Sequence, residues 1–177
     1  DHQTKAEKTL AAKQPRFSRD YFWNCSETMK VDMDPTRMGF GRCLAEKGDD
    51  PRVVCLGADI SGSITISQFY EKHPERKDRW ISVGIAEASG TGVCAGLARE
   101  GKLPVFGTYG VFASGRNWDQ LRTTVSYGNF NVFIAGAHGG VSVGPDGATH
   151  QALEEIFLLC GLPGMNIEVP CDSVETK

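Results

Sequence analysis

No run of apolar residues in this sequence approaches the roughly 18 that a membrane-spanning helix needs, so no membrane segment is expected. The chain opens on polar and charged residues and shows no apolar stretch of the kind that carries a secretory signal. Surplus positive charge is also missing: 19 Lys and Arg against 22 Asp and Glu leave a net charge of −3. That balance gives no electrostatic footing for nucleic acid or an anionic lipid surface. The six cysteines, Cys25, Cys43, Cys55, Cys94, Cys160 and Cys171, include no Cys-x-x-Cys pair. A metal site and a disulfide frame are both disfavoured. Cys55, Cys94 and Cys160 fall in apolar periodic stretches and read as buried free thiols of a reducing, cytoplasmic compartment.

What is present points to one domain with a real core. The length of 177 residues suits a single domain with an extra tail. Residues 1–34 stand apart: they are charged at first, then carry an aromatic cluster, Phe17, Tyr21, Phe22 and Trp23, beside Arg16, Arg19 and Asp20. They read as a tail or a docking segment. The chain begins at Asp1 and stops at Glu175-Thr176-Lys177, within what reads as a new element, so it is expected to be a fragment of something longer.

From residue 35 to 177 helical and strand patterns alternate. A helix is predicted over 36–46. Arg52–Gly57 is a short continuous apolar run, the mark of a buried parallel strand. Trp80–Val83, Leu103–Gly107, Val132–Gly136 and Asn166–Val169 are predicted as four further strands. Helices are predicted over Ala86–Arg99, with Ala86, Gly90, Val93 and Leu97 on one face, over Arg116–Tyr127, and over Thr149–Cys160 with Leu153, Ile156 and Cys160 in line. The fold class is therefore α/β, a mainly parallel sheet with helices on both faces. In such folds ligands gather beyond the carboxyl ends of the strands, and the polar clusters fall there. Three mid-helix glycines, Gly90, Gly92 and Gly96, cost roughly 1 kcal/mol each against alanine, so a smooth helix face is expected to meet a close neighbour.

Glu87 is the first candidate for chemistry. It sits one step inside a helix start, where the helix dipole favours negative charge and apolar neighbours would desolvate it. Taken alone, it reads first as a first-turn residue serving the macrodipole. His138 and His150 flank a glycine-rich loop that also holds Asp146, four residues before His150 and expected to pair with it. Two histidines and an aspartate around one loop favour binding a hydroxylated or phosphorylated small molecule. Tyr109 and Phe112 follow a strand end and serve either as core cover or as a stacking wall for a flat ring. Two apparent motifs fail on context. Gly90-Thr-Gly92-Val-Cys-Ala-Gly96 lies inside the helix, away from the free N–H groups that bind phosphate. Gly140-Val-Ser142-Val-Gly144 leads into the turn Pro145-Asp146-Gly147, where a nucleophile elbow needs a helix.

Taken together, Gly84-Ile-Ala-Glu87, Ala95-Gly-Leu-Ala-Arg99, Gly107-Thr-Tyr109-Gly-Val-Phe112, Gly115-Arg116-x-x-Asp119-Gln120 and Asp146-Gly-Ala-Thr-His150-Gln resemble the pyrimidine-binding domain of transketolases. The likeness is nearest to the C-terminal subunit of two-subunit transketolases. It implies thiamine diphosphate as cofactor, two-carbon ketol transfer between sugar phosphates, and a place in the pentose phosphate pathway. It implies that Glu87 hydrogen-bonds ring nitrogen N1′ of the aminopyrimidine, that Phe112 stacks on that ring, and that Tyr109 and Asp59 line the cofactor. His138 and His150 match catalytic and substrate positions. Asp146, Arg37 and Ser63 match positions that hold sugar hydroxyls and phosphate. Gly115, Pro145 and Ala88 depart from the family pattern around the site. No Gly-Asp-Gly…Asn segment for Mg²⁺ and diphosphate is present, which implies a partner subunit or domain, a homo- or hetero-oligomer, and an inactive chain on its own. A deoxyxylulose-phosphate synthase-like thiamine enzyme and a non-catalytic scaffold of the same fold are the alternatives.

Overall fold

A computed structural model describes residues 34–177, which form one compact unit. The aromatic cluster of the first segment lies outside the described residues. Helix α1, Thr36–Lys47, begins directly after Pro35, whose missing N–H costs nothing at a helix start. Strand β1, Val53–Gly57, follows. A short helix α2, Gln68–Glu71, and a 3₁₀ turn, Pro74–Arg79, lead to β2, Trp80–Ser82. Helix α3, Glu87–Arg99, crosses to β3, Leu103–Tyr109. A helical run then contains a wide π-type turn, Phe112–Arg116, a single α-turn α4, Trp118–Gln120, and a second π-type stretch, Leu121–Ser126. Strand β4, Phe133–Ala137, follows, and the short helices α5, Glu155–Cys160, and α6, Ser173–Thr176, end the chain.

The four strands are parallel and ordered β2-β1-β3-β4. Alternation along β1 shows why both faces are covered. Cys55 points into one layer with Leu44, Ile64, Ile66 and Phe69, while Val54 and Leu56 point into the other with Cys94 and Phe106. A strand buried on both sides reads as a continuous apolar run, as this one does. Because the chain leaves β1 for β2 on one side and returns to β3 on the other, the winding reverses between β1 and β3, the place beyond whose carboxyl ends such folds bind ligands. Among the described residues no helix is long and apolar enough to cross a membrane.

Four expectations are corrected. The buried stripe of α3 is Glu87, Gly90, Thr91, Cys94 and Ala95, and Val93 is exposed; the stripe is turned because Cys94 packs on Val54, Leu56 and Phe106. Residues 166–169 pair with no strand among the described residues: they lie between Pro163-Gly164 and Pro170, and Val169 is exposed. The helix expected from Thr149 begins only at Glu155, because Ala152 accepts a backbone hydrogen bond from Gly140 at 2.7 Å and holds the chain extended there. Cys160 is exposed, and Leu153 and Ile156 face outward with it.

Candidate active site

Most of the site residues gather at the carboxyl end of the sheet because they lie at or past a strand end, Asp59 and Ser63 after β1, Glu87 after β2, Tyr109 and Phe112 at and after β3, and His138 after β4. Glu87 follows β2 through Gly84, whose φ of +64° makes the sharp turn that a side chain would resist. It is the first residue of α3 and is buried. Its Oε2 accepts from Arg116 Nη1 at 2.7 Å, and its Oε1 accepts from the Thr108 hydroxyl at 3.3 Å. The Arg116 guanidinium also lies over the Phe112 ring, 4.0 Å from its centroid.

Phe112 begins a continuous aromatic cluster. It meets His150 at 5.2 Å and Tyr109 at 6.1 Å between centroids. Tyr109 in turn meets His138 at 4.6 Å and His150 at 5.6 Å. These steep interplanar angles suit edge-to-face packing. The Tyr109 hydroxyl donates to Asp146 at 3.0 Å, and Ser63 contacts the same phenolic oxygen. Burial, then the bond to Asp146, pushes the Tyr109 hydroxyl above its usual pKa, with Ser63 opposing. Burial and the nearby charge of Arg37 push His138 below its ordinary value, with Asp146 opposing. His138 has a left-handed backbone at φ +59°, and its buried Nδ1 has no hydrogen-bond partner among the described residues.

One chain of contacts therefore runs from Glu87 through Arg116 to Phe112, Tyr109, His138, Asp146, His150 and Ser63, with the charge of Arg37 acting on its far end. Asp59 is exposed past the end of β1, at the same edge but outside these contacts. The expected pair of Asp146 with His150 is not formed. Asp146 is taken by Tyr109, and His150 Nδ1 lies 2.9 Å from the Thr149 hydroxyl. The four-residue spacing would have needed an α-helix, and residues 148–150 form a 3₁₀ turn. Two partners of Glu87, Thr108 and Arg116, were not singled out from the sequence. Arg116 stands four residues after Phe112, a spacing that stacks two side chains on any helical turn, and this was the available signal.

A buried carboxylate, aromatic rings within reach of it through Arg116 and imidazoles beyond can hold a flat heteroaromatic ring whose nitrogen shares a proton with the carboxylate, next to a polyhydroxylated molecule. This donor set fits the aminopyrimidine of thiamine diphosphate. It does not extend to the diphosphate: among the described residues no group of three or more His, Cys, Asp or Glu is placed to hold a metal ion.

A family model described as "Transketolase, pyrimidine binding domain" matches residues 34–177. A "Putative transketolase C-terminal section" from Methanocaldococcus jannaschii is 39% identical over 142 residues, covering 80% of this chain and 44% of that protein. A 1-deoxy-D-xylulose-5-phosphate synthase from Halalkalibacterium halodurans is 41% identical over 129 residues, covering 73% of this chain and 20% of that protein. Among solved structures, a "Split gene transketolase, inactive beta4 tetramer" superposes with a TM-score of 0.67 at 41% identity, covering 80% of this chain and 44% of the other. The chain thus spans under half the length of these relatives.

Proposed function

We propose that this chain, which belongs to the transketolase pyrimidine-binding domain family, supplies the aminopyrimidine half of a thiamine diphosphate site in a split transketolase. The observation that carries the reading is Glu87: a buried carboxylate at the N-terminus of α3, joined through Arg116 to the Phe112 ring and from there to Tyr109. When bound, the cofactor supplies the carbanion chemistry of two-carbon ketol transfer. Glu87 holds a proton at ring nitrogen N1′ and keeps that bond out of water. Phe112 and Tyr109 form the wall against the ring, with Asp59 at its rim. His138 and His150 stand where the transferred unit reacts and move protons on the sugar oxygens; the unpartnered Nδ1 of His138 supports such a role. Asp146 takes a sugar hydroxyl, and Arg37 and Ser63 lie at the phosphate end. Mg²⁺ and diphosphate are held by a partner subunit or domain, and the acceptors and donors are sugar phosphates.

A deoxyxylulose-phosphate synthase type of thiamine enzyme is the second reading, favoured by the 41% identity to one such protein. Assays for ketol transfer between sugar phosphates and for deoxyxylulose phosphate formation separate the two.

Glu87→Gln tests the core of the reading against a non-catalytic scaffold. Gln keeps shape and packing and cannot serve as the acid. In the assembled enzyme the variant is expected to fold and assemble with its rate lowered by about 10²–10⁴, as for loss of a positioned acid–base group. Near-normal turnover at saturating cofactor would remove Glu87 from the chemistry.

A further inference from the structure

We propose that the guanidinium of Arg116 occupies the aminopyrimidine position and must be displaced before the cofactor seats, so that Arg116 sets how tightly and how fast thiamine diphosphate is taken up. The inference rests on reading Glu87 and Phe112 as the pyrimidine contacts.

The two contacts assigned to the aminopyrimidine are a hydrogen bond into the Glu87 carboxylate and a stack on Phe112. Arg116 makes both at once, with Nη1 2.7 Å from Glu87 Oε2 and the guanidinium carbon 4.0 Å from the Phe112 centroid. The match is chemical. A guanidinium is planar, carries N–H donors in its plane and stacks on aromatic faces, as an aminopyrimidine protonated at N1′ does. It bears a full charge, which strengthens its bond to a carboxylate.

Exposure decides whether the two can coexist. The Glu87 side chain is 3% exposed, while that of Arg116 is 41% exposed. The guanidinium therefore lies on the solvent side of the carboxylate and roofs it. The other oxygen, Oε1, faces Thr108, which is itself fully buried. A ring approaching Glu87 from solvent meets Arg116 first.

The local backbone allows Arg116 to leave. Among the described residues Glu87 is the one acceptor its side chain reaches, so one ion pair and the stack on Phe112 hold it in place. It closes a π-type turn, Phe112–Arg116, a geometry that recurs at functional sites. A Cβ built on the preceding Gly115 would touch none of the described residues within 4 Å, so among them the space beside the turn is open.

The consequence is a tax on uptake. If the covered arrangement holds about nine molecules in ten, the apparent dissociation constant is raised about tenfold, because only the uncovered fraction binds.

The test is cofactor binding, not turnover. Thiamine diphosphate with Mg²⁺ is titrated into the assembled enzyme by calorimetry, and its association is followed by stopped-flow fluorescence. Arg116→Ala is expected to bind severalfold to about tenfold more tightly and to associate faster. Guanidinium chloride at low, non-denaturing concentration is expected to slow binding to Arg116→Ala and to leave the parent protein unchanged, because the free ion re-enters the position the side chain has left. Arg116→Gln, which keeps a flat polar group without charge, is expected to lie between, and it carries the test if the alanine variant does not assemble. Weaker binding in the variants, with no sensitivity to guanidinium ion, would overturn the proposal and make Arg116 a residue that positions Glu87. Phe112→Ala and Glu87→Gln in the same titration separate the premise from the inference. If both leave affinity unchanged, the pyrimidine reading has failed. If both weaken binding and Arg116→Ala does not tighten it, only the displacement has failed.

Discussion

His138 combines three features seldom found in one side chain. It follows the last residue of β4 in a left-handed conformation, its ring packs against Tyr109, and its buried Nδ1 lacks a partner among the described residues. Such a backbone costs a non-glycine residue of order 1–3 kcal/mol and persists where the surroundings over-determine it. The groups whose charge reaches the ring are Arg37, which opposes protonation, and Asp146, which favours it; burial outweighs both. The folded-state pKa therefore lies below the ordinary 6.5. The folded protein resists taking up a proton that the unfolded chain accepts, so stability is fully present above 6.5 and declines as pH falls through that value. His138→Asn removes the titration and suits the left-handed backbone. Melting temperature followed over about pH 8 to 5 is expected to fall less steeply in the variant. Parallel curves would show that the ring is not held neutral by the fold. At this scale the sequence told which residues meet and not how they pair. Glu87, Tyr109, Phe112 and His138 could be placed together because each follows an apolar run whose end marks a strand end. The bonds of Asp146 to Tyr109 and of Arg116 to Glu87 depend on turn geometry that spacing alone does not encode.

Helix α3 shows what periodicity does and does not report. Its three glycines have different surroundings. A Cβ on Gly90 would lie 3.0 Å from Phe106 Cζ and 3.1 Å from Val83 Cγ2, whereas Cβ atoms on Gly92 and Gly96 would touch nothing within 4 Å. Phe106 is fully buried and has no free direction in which to yield. Among the described residues the close approach that offsets glycine's cost in α3 thus exists only at Gly90, where it lets α3 settle on β3. Gly90→Ala is expected to destabilise the chain. Gly92→Ala and Gly96→Ala are each expected to stabilise it by up to about 1 kcal/mol through helix propensity. Denaturant unfolding of the three variants checks this, and equal shifts in all three would contradict the packing. The segment after β4 is the counter-example. Leu153, Ile156 and Cys160 have helical spacing and were expected to face the core, yet all three are exposed. A periodic apolar face reports spacing, and the burial of β1 and β3 could be read only because a continuous apolar run has no polar side to turn outward.

At the scale of the whole molecule the proposed function divides the site by chemistry. The carboxylate and the aromatic wall belong to this chain, while no segment of the Gly-Asp-Gly…Asn kind occurs in its sequence and no cluster fit for a metal ion occurs among the described residues. The chain covers 44% of the Methanocaldococcus relative, a protein described as the C-terminal section of a transketolase. Its net charge of −3 gives a free diphosphate no attraction. Binding of the whole cofactor is then expected to require the partner that carries the diphosphate site. Comparing thiamine with thiamine diphosphate makes this decisive. To the chain alone both are expected to bind weakly and alike, with Mg²⁺ making no difference, because only the ring finds contacts. In the assembled enzyme thiamine is expected to stay weak, while thiamine diphosphate gains affinity in a Mg²⁺-dependent manner. Each charge-assisted hydrogen bond to the diphosphate is worth roughly 1.5–3 kcal/mol, so two or three such bonds separate the ligands by orders of magnitude. Calorimetry on the chain with and without its partner reads the difference directly. Tight, Mg²⁺-dependent binding of thiamine diphosphate by this chain alone would place the diphosphate site within it and end the divided-site reading.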